Sequence, residues 1–532
     1  MMRILQVVHG FPPRESAGAE LVTFYLSQAL RARGHQVTVL TRVEDPSSVE
    51  FSVREEQVDG LAVVQIINNH IQTSTALRFS YDNSFCDAPF LQLLERFCPD
   101  VVHFQHMAHL SVSLIPLAAS LGYPTVLSLH DFFFPCHRIH LIDAQTQLCS
   151  GPERGERCVP CLEGFAPPEE IRRRFLYMER ALQAPELIIV PSAFLARKTL
   201  SHFPFLRERL RVVPLGVKPV PARTRERQAG TPLRILYVGF LFPPKGAHVL
   251  IEAIKGLPSQ AVEVSLYGAF SPFWQSYADR VRAEAQGLPV HFYGPYAHDQ
   301  LASILSRHDV LVMPGLCEET FSIVTREALM AGLPVVAARR GALPEVVRDD
   351  VNGLLFAAED AADLRRCLAR LLAEPDLLER LRSVDPGVKT MEAYAGELEG
   401  MYARRCAAPP PLPSLQKSLL ERYQLYTALS QESEQLRTEA RELDAQNAAL
   451  RRERDRLGTD KPRIEQERDR ALAAVPELSA ALDTRERALR DGDARLAAIY
   501  ASTTWKLYRA YATSRDFLVC RPLGKLKHWF GG

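Results

Sequence analysis

No part of the 532-residue chain stays apolar long enough to span a bilayer. The richest candidate, "HLSVSLIPLAASLGYPTVLSLH", is broken by Pro116, Gly122 and Pro124. An excess of one charge is missing too. Lys and Arg number 64 against 63 Asp and Glu, a net charge of +1, so nothing points to a nucleic-acid partner. The opening "MMRILQVVHGF" is too short and too soon interrupted for a secretory signal, and it reads as a first strand. These absences lead to the expectation of a cytoplasmic protein. In that compartment the ten cysteines should be thiols or metal ligands rather than disulfides. What is present is 47% hydrophobic residues over a length that calls for two or three domains.

Residues 1–218 alternate strand-like and helix-like runs: "RILQVVH", an amphipathic stretch from Ala19 to Arg33, then "QVTVLT", "LAVVQII", "DVVHFQ", "TVLSLHD" and "ELIIVPS". The pattern restarts with "RILYVGFL" and runs through "VEVSLYG", "VHFYGPY", "DVLVMPG" and "LPVVAAR" over residues 219–405. This is an α/β chain of two Rossmann-like domains, each with a mostly parallel sheet, facing a cleft. A polar, Pro-containing linker joins the halves, and a helix-like stretch from Val388 to Arg405 closes the second.

Composition changes at Ala407. A Pro-rich spacer over 406–414 leads into a helical, coiled-coil extension over 415–500. There Leu429, Leu436, Leu443, Leu450 and Leu457 recur every seven residues, and Leu478, Leu482, Leu489 and Leu496 form a second run. Ser433, Ala440, Asn447 and Arg454 make the seam weak, leaving a homodimer contact and a solvated single helix both open. Residues 501–532 interleave aromatics such as Trp505, Tyr508 and Trp529 with six basic residues against the single acid Asp516. That mixture suits peripheral contact with an anionic membrane surface.

The stretch from Pro314 to Gly341, "PGLCEETFSIVTREALMAGLPVVAARRG", organises the second half. A strand ends at Pro314, a helix runs from about Ser322 to Ala331, and Gly332 and Pro334 stop it before the next strand. The first helical N–H groups, at Ser322, Ile323 and Val324, would point outward and hold an anion. Glu319 precedes that helix and Glu327 lies inside it. An anion site between two carboxylates fits a ligand with phosphates and hydroxyls, such as a nucleotide sugar.

"EETFSIVTREALMAGLPVVA" resembles the E-x7-E signature of the retaining family 4 glycosyltransferases of the GT-B fold. "GFPPRESAGAE" resembles that family's Gly-rich loop, "SLHD" its His loop, and "YVGFLFPPKGAHVLIEAI" its lysine-bearing loop, all in the right order. The resemblance covers residues 1–405 and implies these roles. Lys245 and the helix start would face the leaving diphosphate, Glu319 the transferred sugar, and Glu327 the ribose. Gly18 would let backbone approach the phosphates, and His130 would stand near the reacting centre with Asp131 orienting it. His103 and His106 in "VVHFQH" leave two readings open, as cleft-lining or as structural side chains. No metal of the D-x-D type is expected. Phe240 stands where many relatives carry Arg after Gly239, so one diphosphate contact is missing unless Arg14 or another cation supplies it. "STTWKL" resembles endings of bacterial surface-polysaccharide transferases.

Cys136, Cys149, Cys158 and Cys161 fall within one segment ending in C-x2-C. A structural zinc and free thiols both fit this non-standard spacing. The expected activity is transfer of a sugar from a nucleotide-diphosphate donor to a glycan or lipid-linked acceptor at the inner face of the plasma membrane. A nucleotide-sugar epimerase of the same fold and a non-catalytic coiled-coil scaffold are the alternatives.

Overall fold

The computed structural model describes residues 1–69, 77–221, 230–374, 376–406, 442–443, 445–453 and 465–501. The chain forms two compact units. The first holds nearly all of residues 1–407 and contains both sheets.

Its first sheet has eight strands: β1 (Arg3–Val8), β2 (Gln36–Val43), β3 (Val53–Val58), β4 (Leu61–Ile67), β5 (Val101–His106), β6 (Thr125–Ser128), β7 (Leu187–Val190) and β8 (Leu210–Val212). The order is β3-β4-β2-β1-β5-β6-β7-β8. All neighbours are parallel except β3, which pairs antiparallel with β4. β3 has no apolar run to mark it, because "VREEQV" is polar. That polarity is what an exposed edge strand needs to discourage pairing with other chains.

The second sheet has six parallel strands: β9 (Leu233–Val238), β10 (Val262–Tyr267), β11 (Val290–Gly294), β12 (Val310–Met313), β13 (Val335–Ala338) and β14 (Gly353–Phe356). They run in the order β11-β10-β9-β12-β13-β14. In both sheets the strand order reverses direction in the middle, beside β1 and β9. The crevice at the carboxyl ends of such strands is where an open α/β sheet receives ligands.

Two segments cross between the halves side by side. Met391 N donates to Val217 O at 3.0 Å, and Val217 N to Lys389 O at 3.0 Å. The helix that follows, Met391–Ala403, then packs on the first half rather than closing the second. Tyr394, Leu398 and Tyr402 are buried in one core with Val22, Leu26 and Val39. Burying each such side chain stabilises the fold by roughly 1.5–3 kcal/mol, which ties the end of the two-domain body to its beginning.

The second unit is described by itself. It includes the helix Asp87–Phe97, stopped by Cys98 in a left-handed conformation, and the helix Glu465–Ala501, which carries Pro476. Leu478, Leu482 and Leu489 are half-buried along that long helix. Leu429, Leu436 and Leu457, the Pro-rich spacer from Ala407, and the basic aromatic tail after Ala501 lie outside the described residues. Among the described residues no helix is long and apolar enough to cross a membrane.

Candidate active site

Lys245 reaches the site because Gly246 turns the chain. Gly246 has φ +72°, a left-handed conformation, and a Cβ there would run into the backbone carbonyl of Pro314 just beyond β12. The loop after β9 therefore lies against the end of β12, and Lys245 Nζ forms an ion pair with Glu319 Oε1. Burial pulls the ammonium down, but the Glu319 carboxylate beside it outweighs that effect. The group is held above its ordinary value and stays charged.

The helix Ile323–Met330 begins one residue later than expected, with Ser322 as its N-cap. Ser322 is left-handed (φ +61°), a costly conformation for a residue with a Cβ, and its Oγ lies 2.7 Å from Thr325 Oγ1. The N–H groups of the first turn have no partners inside the helix, and its dipole makes this end positive. Gly18 comes to the same place, since a Cβ on it would sit 3.4 Å from Ile323 Cδ1. Ile323 and Gly18 thus meet across the two halves, with Val324 next in the first turn.

Glu327 is buried at 3% exposure, and its Oε1 lies 2.8 Å from His298 Nε2. His298 Nδ1 is 2.9 Å from the Tyr25 hydroxyl, and Lys218 Nζ stands 5.1 Å from the centre of the Tyr25 ring. Sequence reading missed this chain. Its one signal was that His298 closely follows β11, another strand whose end faces the crevice.

On the other wall, the His130 carbonyl accepts from Thr320 Oγ1 at 2.6 Å, which sets His130 beside the Glu319 loop. Its Nε2 lies 2.8 Å from Gln105 Oε1. Burial, helped by the charge of His106, pushes the imidazole down to about 4, so it is neutral near pH 7. Asp131 does not orient His130. Its Oδ1 accepts from Phe133 N at 2.8 Å, and this turn swings Oδ2 to 3.0 Å from His106 Nε2. Burial works against both charges of that pair. Even so, His106 is raised by Asp131, and Asp131 is lowered to about 2 by His106. His103 is structural: it is buried between Ser128 Oγ (2.8 Å) and Tyr402 Oη (2.6 Å) and pushed down to about 3 by burial.

Phe240 is exposed, and its carbonyl accepts from the Tyr237 hydroxyl at 3.0 Å. Arg14 is turned toward the Glu44 carbonyl, 3.5 Å away. The four cysteines are half-buried free thiols. They do not form a metal cluster as they stand. Among the described residues, the one trio of His, Cys, Asp or Glu ligand atoms within 4.8 Å of one another is His9, Glu15 and Glu20. A hairpin-like pairing of Ile142 with Leu148 and a separate turn at Cys158–Cys161 carry the thiols on different pieces of the loop.

The profile described as Glycosyltransferase Family 4 matches residues 16–220, and that described as Glycosyl transferases group 1 matches residues 232–374. The chain is 32% identical over 319 residues to the MMP alpha-(1->4)-mannosyltransferase of Mycolicibacterium hassiacum, covering 58% of this chain and 71% of the relative. It is 26% identical over 395 residues to the glycogen synthase of Mycobacterium tuberculosis, covering 71% of this chain and 88% of that one. A D-inositol 3-phosphate glycosyltransferase of Streptomyces bingchenggensis is 32% identical over 240 residues, but the chain spans only 52% of its length. Among solved structures, sucrose-phosphate synthase of Thermosynechococcus elongatus superposes with a TM-score of 0.56 at 20% identity, over 76% of this chain and 99% of that one. Anabaena HepE in complex with UDP and glucose gives 0.55 at 17% identity, over 76% and 100%. Together with the paired sheets and the crevice between them, these matches show that the chain belongs to glycosyltransferase family 4 and is an enzyme of the glycosyltransferase type with the GT-B fold.

Proposed function

We propose that the protein is a retaining glycosyltransferase that takes a sugar from a nucleoside-diphosphate donor held by the second half. The observation that carries this reading is the Lys245–Glu319 ion pair beside the start of the Ile323–Met330 helix. An ammonium has three donors. One serves Glu319, and the others serve the phosphates as charge builds on the leaving group. Glu327 has Oε1 engaged by His298, which leaves Oε2 for the ribose diol. Glu319 would accept from hydroxyls of the transferred sugar. The acceptor hydroxyl attacks from the side the diphosphate leaves, and its proton passes to the departing phosphate oxygen. His130, donating through Nε2 to Gln105, would keep Nδ1 as a neutral acceptor near that centre. The UDP complex of the similarly folded HepE supports a nucleotide donor.

The test is thermal stabilisation by UDP, GDP and ADP and their sugars, in which one base should raise Tm well above the others. No stabilisation by any of them would sink the reading. Product analysis with donor alone separates an epimerase from a transferase. The acceptor is proposed to be a glycan or lipid-linked saccharide of bacterial cell-surface polysaccharide, met at the inner face of the plasma membrane. Deleting residues 501–532 should then release the protein from membranes, and unchanged partition removes that part. A structural zinc on Cys136, Cys149, Cys158 and Cys161 is a separate proposal. It is supported by the chemistry of the donor set, four free thiols on the segment that follows His130. Metal analysis decides it.

A further inference from the structure

A cavity of about 460 Å3 opens in the first half, between the Gly-rich loop after β1 and the segment that follows His130. The aromatic rings of Phe79, Phe133 and Phe165 form part of its wall. The rest is dominated by groups that carry or can accept positive charge: Arg42, Arg138, His109 and His137. Glu15 is the one carboxylate among the described residues lining it.

The charges are not balanced. The Arg42 side chain is only 7% exposed, yet its ion-pair contacts are long, 3.4 Å to Glu15 and 3.5 Å to Glu44, and its Nε has no partner. Two carboxylates face Arg42, but neither contact is short and a buried guanidinium donor is left over, which is costly unless a further acceptor completes its shell. The histidines show the same excess. His109 is held down at about 4 by burial and then by Arg42, His9 and His106. His137 is held down at about 3 by burial and then by Arg174, His109 and Arg138. Both are neutral N–H donors in a positive field, a setting that favours an anion. The His9, Glu15 and Glu20 trio beside the cavity could in principle ligate a metal ion. The guanidinium against Glu15 and the second arginine in the wall set the field against a cation there.

The position of the cavity matters as much as its charge. His106 lines it, and its Nε2 is 3.0 Å from Asp131, the chain neighbour of His130. A molecule lying here is one hydrogen-bonded pair away from the candidate reacting centre.

We infer that this cavity is an anion-recognising subsite for the acceptor, which is a saccharide bearing a phosphate group held by Arg42, Arg138, His109 and His137. The inference rests on the transferase reading above and adds the acceptor's chemistry. Two arginines with two neutral imidazoles suit a dianion better than a single carboxylate.

The experiment uses full-length protein saturated with UDP, so that the donor site is filled, and titrates inorganic phosphate, glucuronate and farnesyl phosphate by calorimetry and thermal shift. Phosphate should bind and raise Tm beyond the UDP shift, more strongly than glucuronate. Arg42→Met should weaken phosphate by about 10-fold or more while leaving the UDP shift in place. Arg138→Met covers the case in which the buried arginine is needed for folding, since Arg138 is exposed and donates to the Cys161 carbonyl at 3.2 Å. Tighter binding of farnesyl phosphate assigns a lipid-borne phosphate, equal binding a free sugar phosphate, and either supports the subsite. Three results would overturn it: no phosphate binding to the UDP-loaded protein, equal binding in both variants, or stabilisation by Mn2+ or Zn2+ in place of phosphate. A missing UDP shift with phosphate binding still sensitive to Arg42→Met would defeat the donor reading alone.

Discussion

Replacing Lys245 by Met separates what the ion pair does for folding from what it does for catalysis. The two side chains are 24% and 12% exposed, so the pair is mostly withdrawn from water. Removing one partner of a fully buried pair costs about 3–5 kcal/mol, because the other charge is left uncompensated. Partial exposure lowers this to about 2–3 kcal/mol for Lys245→Met. The same logic makes the double variant Lys245→Met/Glu319→Gln nearly neutral, since the stranded carboxylate is gone. Catalysis should not recover with it. A missing donor to the leaving phosphates costs about 2.7–4 kcal/mol of transition-state stabilisation, a loss of about 100- to 1,000-fold in kcat. Urea unfolding of the wild type, both single variants and the double variant gives the coupling energy. Turnover of the donor found by thermal shift gives the rate. Stability restored with activity still lost is the expected pattern. A double variant within a few-fold of wild-type turnover would refute the role given to Lys245.

Gly246→Ala must hold a Cβ at φ +72° against the Pro314 carbonyl. It should destabilise by about 1–3 kcal/mol and lower kcat by displacing Lys245, as urea unfolding and turnover will show. His298→Ala frees the Glu327 carboxylate and should raise KM for the donor by about 10-fold with a smaller change in kcat. Tyr25→Phe, which removes only the outer hydrogen bond, should do less in the same kinetics. Stability should also fall in acid. The imidazole of His103 is depressed to about 3, so the unfolded chain binds more protons once pH drops below the ordinary value near 6.5. At pH 5 this amounts to about 2 kcal/mol for His103 alone. His9, His109, His130, His137 and His140 shift the same way, while His106 is raised and opposes them in part. Equal urea midpoints at pH 7.5 and pH 5 would contradict this.

Much of the architecture was legible because buried parallel strands are continuous apolar runs, as "RILQVV" and "VLVM" are. Lys245, Glu319 and the helix start could be placed together because each follows the end of such a strand. Polar or long-range features did not show. β3 has the composition of a solvated segment. The Met391–Ala403 helix gives no sign of which sheet its apolar face covers, and it chose the first. Asp131 sits beside His130 in sequence, but a two-residue turn to Phe133 decides where its carboxylate points. Glu327, His298 and Tyr25 come from three separate elements, and only the folded crevice brings them into line.

The central claim is that the crevice transfers sugar from a nucleotide donor. Its most direct test incubates the purified protein with labelled UDP-, GDP- and ADP-sugars and a bacterial lipid and polysaccharide extract, alongside Glu327→Ala. One donor should give a labelled product and released nucleoside diphosphate that depend on the extract, and Glu327→Ala should lose most of that rate. No product from any donor, or an unchanged rate in Glu327→Ala, would contradict the account.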